Sequence, residues 1–152
     1  MKEMKISSIG TVIRSENEIM LKLEKKYKSG LTSLEKFSHV IVVWWADGHE
    51  DEQSRQQLVT QLPYAPGQEA GVFACRAEYR PNPIAITICP IKEVDLDIGI
   101  VKIAGIDARN NSPILDLKPY IPVCDRVNNS RIPDWFKGWP LELPANGLQL
   151  EY

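Results

Sequence analysis

The chain is predicted to fold as a mainly β domain, a barrel or a sandwich. Six or seven short runs of β-branched and aromatic residues carry that expectation, with proline, glycine or asparagine at most junctions between them. Only one stretch has the length and composition of an α-helix. At 152 residues the chain fits one ordinary domain, 1–152, able to bury a real core.

Met4 to Ser15 reads as a strand, with Ile6, Ile9, Val12 and Ile13 apolar and Gly10 as a bulge or bend. Ile19 to Leu23 alternates and is expected to pair with it. Ser29-Gly30 marks a turn, after which Thr32 or Ser33 is placed to cap one helical turn through Glu35 and Phe37. His39 to Trp45 is the strongest strand in the chain and is expected to be buried on both faces or nearly so. Glu50 to Gln61 is the one helix candidate, stopped by Pro63, and Leu62 to Gln68 follows as a loop. Gly71 to Cys75, Ile84 to Cys89 and Ile98 to Ile106 are further strands, the last two linked by the charged segment Lys92 to Asp97. Asn110-Asn111-Ser112-Pro113 is a turn cluster before the brief strand Ile114 to Leu117. From about residue 121 the chain is punctuated by prolines, and Trp135 and Trp139 are expected to pin this tail to the body.

Composition removes several classes of function. The 18 basic and 20 acidic residues leave a net charge of −2, so there is no global pull towards nucleic acid. The charge is nevertheless uneven: Lys22, Lys25, Lys26 and Lys28 cluster, and Asp47 to Glu52 holds four acids and no Lys or Arg. The charged N-terminus lacks the apolar core of a signal peptide, and no apolar run reaches the ~20 residues of a membrane helix. Cys75, Cys89 and Cys124 have no paired spacing, which favours reduced thiols and a cytoplasmic setting. Two histidines and no Cys-x-x-Cys leave no zinc constellation, so no metal is expected.

There is no Gly-x-Gly-x-x-Gly, no Walker loop and no Gly-x-Ser-x-Gly elbow. Cys75 and Arg80 invite comparison with a thiol-phosphatase loop. Four residues separate them where five are needed, however, and Pro81 and Pro83 remove amides that a phosphate cradle uses.

The most informative run is Arg76-Ala77-Glu78-Tyr79-Arg80-Pro81-Asn82-Pro83-Ile84-Ala85. Its prolines exclude a helix and a central strand, leaving a stiffened loop. Two arginines on a stiff loop suit an anion or a planar ligand, against the plainer reading of solvated surface arginines.

Four stretches taken together resemble one family: Leu34-Glu35-Lys36-Phe37-Ser38-His39; Gly71-Val72-Phe73-Ala74-Cys75-Arg76; Arg80-Pro81-Asn82-Pro83-Ile84; and Ile106-Asp107 through Ser112-Pro113-Ile114-Leu115-Asp116-Leu117-Lys118-Pro119-Tyr120-Ile121-Pro122. With Ile9-Gly10-Thr11-Val12-Ile13-Arg14-Ser15, their order and spacing are similar to the TsaA-like (YaeB) family, which includes the tRNA methyltransferase O enzymes. The resemblance covers roughly Ile6 to Asp125. It implies a small closed or nearly closed β-barrel with one or two short helices, S-adenosylmethionine (SAM) as cofactor, and a homodimer with the cofactor near the subunit interface. The implied reaction methylates the exocyclic nitrogen of threonylcarbamoyl-adenosine in tRNA.

Carried onto this sequence, the family's cofactor contacts fall on Ala46, Asp47, Arg76, Ile86, Asp107, Ala108, Arg109 and Asn110. Arg80, Asn82, Asp116, Lys118 and Tyr120 fall where the family's motifs bind substrate or shape the site. An acid, a base and a tyrosine so close together serve equally well to lock a strand end. Residue chemistry agrees in outline, since a guanidinium pairs with a carboxylate or an RNA phosphate. No catalytic base is assigned.

This chain also departs from the pattern. Cys75-Arg76-Ala77 replaces Thr-Arg-Ser, Ala85 replaces a glycine, and Asn110-Asn111-Ser112-Pro113 replaces Asp-Gly-Thr-Pro. Ser15-Glu16-Asn17-Glu18 stands where the family has a proline-arginine loop that touches SAM. Two other readings therefore stand beside tRNA methylation: methyl transfer to a small molecule, and a non-catalytic SAM- or nucleotide-binding module.

Overall fold

The computed structural model describes residues 4–147; the ends of the expected 1–152 domain, 1–3 and 148–152, lie outside the described residues. Six strands close a barrel: β1 (Gly10–Arg14), β2 (Ile19–Leu23), β3 (His39–Trp45), β6 (Ile84–Asp95), β7 (Ile100–Ile103) and β8 (Pro113–Pro119), in the order β1-β2-β7-β6-β3-β8. The pair β4 (Val59–Gln61) and β5 (Glu69–Gly71) forms a separate two-stranded sheet in the connection between β3 and β6. The expected barrel is therefore present, and all its neighbouring strands are antiparallel.

Alternation along the strands fills the barrel. On β3, Val40, Val42 and Trp44 point inward, while His39, Ile41, Val43 and Trp45 are only half-buried on the outer wall. The expectation that this strand is buried on both faces is corrected, because a closed barrel has one interior and its other face stays outside. Val12, Leu21, Val40, Val42, Cys89, Val101 and Ile114 are fully buried in the core. Each side chain of this kind is worth about 1.5–3 kcal/mol of burial.

Gly10 is required by a close approach. It sits opposite Leu23, and a Cβ there would collide with the Lys22 carbonyl oxygen. Residues 4–9 lie outside β1, so the first strand is shorter than its apolar residues suggested.

Other boundaries also differ from the reading of the sequence. The helix expected over Glu50 to Gln61 is the short α1 (Glu52–Gln56), and the chain then extends into β4. Asp51 caps α1 through the Ser54 amide at 2.9 Å, but Val59 and Thr60 are β-branched and pair with Gly71 and Ala70. Gly71 to Cys75 becomes the end of β5 followed by a 3-10 turn, Val72–Ala74. The segment Lys92 to Asp97 is no linker: β6 runs on to Asp95, crossing from β3 to β7 with a register shift between Ile91 and Glu93. Lys92 and Glu93 are both exposed, which the irregular register at that point permits. The turn expected after Thr32 or Ser33 is the 3-10 turn Leu34–Lys36, with Ser33 at its N-cap position but no side-chain cap bond, and a further 3-10 segment, Lys25–Leu31, precedes it.

The tail after β8 contains α2 (Pro122–Asp125) and a 3-10 turn, Asp134–Phe136. Phe136 and Trp139 pack on Tyr64 with ring centroids 5.4 and 5.5 Å apart, and Trp135 lies 6.4 Å from Phe136. Trp139 thus anchors the tail directly and Trp135 through Phe136, onto the loop between β4 and β5. The chain returns to the barrel at Gly147, beside Gly105.

Candidate functional site

One end of the barrel gathers most of the expected cofactor residues. β3 ends at Trp45, and buried Ala46 donates its N–H to the Pro83 carbonyl at 2.8 Å. That bond ties the end of β3 to the Arg-Pro-Asn-Pro loop. Asp47 follows, exposed, with Oδ1 accepting from the Ser112 hydroxyl at 3.1 Å. Ser112 is itself fully buried, so this bond satisfies a hydroxyl that would otherwise be stranded.

The loop Ile106 to Ser112 is stitched to β1. Arg14 donates its amide to Asn110 Oδ1 at 2.8 Å, and its guanidinium donates to the Ile106 carbonyl at 2.8 and 3.3 Å. Asn111 donates to the Val12 carbonyl at 2.7 Å and holds φ at +70°, a conformation that asparagine tolerates. Arg109 lies over Gly48, where a Cβ would come within 2.6 Å of Nη1. Asp107 is exposed and accepts from the Thr87 hydroxyl, which in turn accepts from the Trp44 indole at 3.1 Å. Ala108 is buried beneath the loop. The rim therefore displays two carboxylates, an amide and a guanidinium on a backbone fixed from several sides.

The stiff loop is locked from within and from beside. Arg80 donates to the Val72 carbonyl and, at 3.0 Å, to the Cys75 carbonyl. Arg55 donates to the Pro81 carbonyl through Nε and Nη2 at 2.9 and 2.8 Å. His49 contacts Glu78 at 2.9 Å and lies edge-on to Tyr79. Asn82 accepts from the Ile84 amide at 2.7 Å through its backbone carbonyl. Arg76 stands exposed on this loop. Of the two arginines read from the sequence, one builds the loop and the other remains at its surface.

The remaining predicted residues lie elsewhere. Ile86 points outward, opposite Val43, and is 46% exposed, on the face of β6 away from Thr87. On β8, Asp116 stands opposite Val43 and Lys118 opposite Ile41, also on the outer wall, joined by a 2.6 Å ion pair. The hydrogen bond and charge of Asp116 raise the pKa of Lys118. Asp116 also accepts from the Leu117 amide at 2.9 Å. Tyr120 lies at the far end of β3 from Asp47, bonded through its amide to the His39 carbonyl and edge-on to the His39 ring. These three residues are not gathered at the rim.

Three residues at the rim escaped the sequence reading: Arg14, Thr87 and Ser112. Thr87 left a signal, as the polar residue at an inward position in the apolar run Ile84 to Cys89. The Arg14 guanidinium reaches the Ile106 carbonyl and the Ser112 hydroxyl reaches Asp47, contacts that spacing does not reveal. Burial, then the charge of Asp107, pushes the Cys89 thiol pKa up to about 12, so this cysteine is inert at neutral pH. A separate cavity of about 270 Å³ lies beside the β1–β2 turn, lined by Arg14, Glu16, Glu18, Ile19, Lys92 and Ile103 among others, and contains none of the expected cofactor residues. Among the described residues no group of three His, Cys, Asp or Glu side chains could hold a metal ion, and no helix is long and apolar enough to cross a membrane.

Comparison with known proteins matches residues 7–126 to the family described as the tRNA-methyltransferase O N-terminal domain. A protein of Archaeoglobus fulgidus named as a probable S-adenosyl-L-methionine-binding protein is 30% identical over 123 residues, covering 81% of this chain and 31% of its own length. A second from the same organism, named as an S-adenosyl-L-methionine-binding protein, is 37% identical over 103 residues, covering 68% of this chain and 69% of its own. The Rattus norvegicus tRNA (adenine(37)-N6)-methyltransferase is 34% identical, covering 77% of this chain and 27% of its own. Among solved structures, TrmO from Pseudomonas aeruginosa superposes with a TM-score of 0.64 at 24% identity, covering 86% of this chain and 62% of that one, which speaks for the fold. Another TrmO structure gives 0.65 at 26% identity, covering 86% and 64%. The chain thus spans about a third of the first of these relatives and under two thirds of the solved structures.

Proposed function

Because the chain belongs to the family of tRNA-methyltransferase O N-terminal domains, we propose that it is a SAM-dependent methyltransferase acting on tRNA, at the exocyclic nitrogen of threonylcarbamoyl-adenosine. The observation that carries this reading is the rim itself. Asp47, Asp107, Arg109 and Asn110 present acceptors and donors on one fixed loop system at the barrel end. SAM carries a carboxylate, an ammonium group, ribose hydroxyls and an adenine ring, and this donor set is suited to all four. When bound, SAM supplies an already activated methyl group on a sulfonium.

The protein's task is then alignment and exclusion of water, which together supply up to about 7–11 kcal/mol of a barrier. We assign Ala46, Asp47, Asp107, Ala108, Arg109 and Asn110 to cofactor binding at the rim. Arg76 is assigned to a carboxylate or phosphate. Arg80 and Asn82 shape the loop, because the Nη2 of Arg80 is directed at backbone carbonyls. Ile86 serves as an apolar contact from the outer wall, and Asp116, Lys118 and Tyr120 shape the adjoining surface.

A homodimer fits that outer wall. Ile41, Val43 and Trp45 pair across strands with Ile88, Ile86 and Ile84, giving an apolar face that a second copy would cover, with Ile86 within it. Residues 1–152 form the functional domain in this reading, with the proline-rich tail from about 121 as its strap, in the cytoplasm.

The acid-rich segment Asp47 to Glu52 beside the rim favours a second reading, a small-molecule acceptor. The test is incubation with methyl-labelled SAM and tRNA from cells lacking their own family enzyme, read by nucleoside mass spectrometry. Label on threonylcarbamoyl-adenosine is the expected result. SAM binding by calorimetry without label on tRNA would overturn the tRNA assignment, in favour of a small acceptor or a non-catalytic module.

A further inference from the structure

Resting on the cofactor reading above, we propose that Thr87, oriented by Trp44, is a positioning residue that fixes the Asp107 carboxylate towards the hydrogen-bond donors of the cofactor. On the inner face of β6, Ala85, Thr87 and Cys89 stand opposite Trp44, Val42 and Val40. Thr87 carries the hydroxyl in that set. Trp44 is 2% exposed, so its indole N–H needs a partner inside the barrel. Thr87 Oγ1 supplies it at 3.1 Å.

The direction of the chain of bonds is then fixed by valence. An indole N–H donates and cannot accept. Thr87 therefore accepts from Trp44, and its single proton is left for Asp107 Oδ1, the acceptor it meets at the rim. Asp107 is thereby held as an acceptor by a group anchored in the core. The residue is otherwise exposed, on a loop whose other fastenings run through Arg14, Asn110 and Ser112. One carboxylate oxygen accepts the Thr87 hydrogen bond, leaving the other for a hydroxyl or ammonium donor of the bound cofactor. The charge of Asp107 also contributes to the raised pKa of the buried Cys89, consistent with a carboxylate held against the barrel interior.

Thr87→Val keeps the shape of the side chain and removes the hydroxyl, and Thr87→Ser restores it. Calorimetry with SAM is expected to show about tenfold weaker binding for Thr87→Val and binding within about twofold of wild type for Thr87→Ser. If turnover is measured, KM should rise with kcat unchanged. Asp107→Asn should weaken binding at least as much as Thr87→Val. Adding Thr87→Val to it should cost nothing further, because the two residues act as one unit. Stranding the Trp44 indole lowers the melting temperature of Thr87→Val in either case, so the binding cycle decides: a purely structural role would leave SAM affinity of the folded variant unchanged or add its loss to that of Asp107→Asn. Either additive losses or unchanged binding in Thr87→Val overturns the proposal while leaving the cofactor reading intact. Wild type that does not bind SAM overturns both. Should Thr87→Val fail to fold, Thr87→Ala takes its place in the same cycle.

Discussion

In the barrel wall, Val12, Leu21, Val40, Val42, Cys89, Val101 and Ile114 are completely buried and interlock across six strands. Between β3 and β6, over residues 46–83, buried apolar side chains thin to Ala46, Leu62, Ala65, Val72 and Pro83. There the chain is held instead by side chains gripping backbone: Arg55 on Pro81, Arg80 on Val72 and Cys75, Asp51 on Ser54. Apolar burial is non-directional and contributes to global stability, whereas charge-assisted bonds to carbonyls are directional and set local shape. The wall is built to persist, and the excursion to hold one geometry beside the rim.

That contrast can be broken by experiment. Leu21→Ala should have the largest effect, a loss of about 2–5 kcal/mol seen as a lower urea midpoint for the whole molecule. Arg80→Met should cost about 1.5–3 kcal/mol at most. Its signature should be faster proteolytic cleavage within 72–83 well below the melting temperature. If Arg80→Met instead lowered the global midpoint as far as Leu21→Ala, the two regions would not be separable.

The smaller tests sharpen the comparison through chemistry. Cys124 is exposed and Cys89 is buried, with its thiol pKa pushed up to about 12. A maleimide at pH 7 should therefore label Cys124 quickly and Cys89 only on global unfolding, as read by mass spectrometry. The smallest effect concerns α1. Hydrogen bonds from Ser54 hold the Asp51 pKa below its ordinary 3.8. Its contribution is present above that value and lost as pH falls through the depressed one. Hydrogen exchange at the Ser54 amide should stay protected down to the ordinary 3.8 and lose protection as the pH falls below it in wild type, and show no such step in Asp51→Asn.

The wall was also the more legible region. β3 announces itself in His39 to Trp45, and Ile19 to Leu23 pairs with β1 as its alternation predicted. The length of β6 was hidden because Lys92 and Glu93 read as linker, although a barrel strand can turn charged residues to water on one side. The helix over Glu50 to Gln61 was overread because a polar composition cannot register that Val59 and Thr60 find strand partners in Ala70 and Gly71. At the rim, Asp47 and the loop Asp107 to Asn110 came from the motif resemblance, and the structure supplies their contacts. Arg14, Thr87 and Ser112 could not be read in the same way. Their partners are 92, 20 and 65 residues away, and only the closed barrel brings them together.

Closure itself rests on a narrow seam. β1 meets β8 through two residue pairs, Gly10 with Ile114 and Thr11 with Pro113. The Ile9 amide and the Ser8 hydroxyl reinforce it at the Ile114 carbonyl, the latter across 106 residues of sequence. Joining ends so distant has an entropic cost that grows with the logarithm of the loop, and few bonds return it until the rest of the wall exists. The β1–β2 hairpin, with its tight turn at Ser15 to Glu18, and the long β3–β6 ladder can form without the seam. The topology therefore favours an order of assembly with hairpin and ladder first and the seam last.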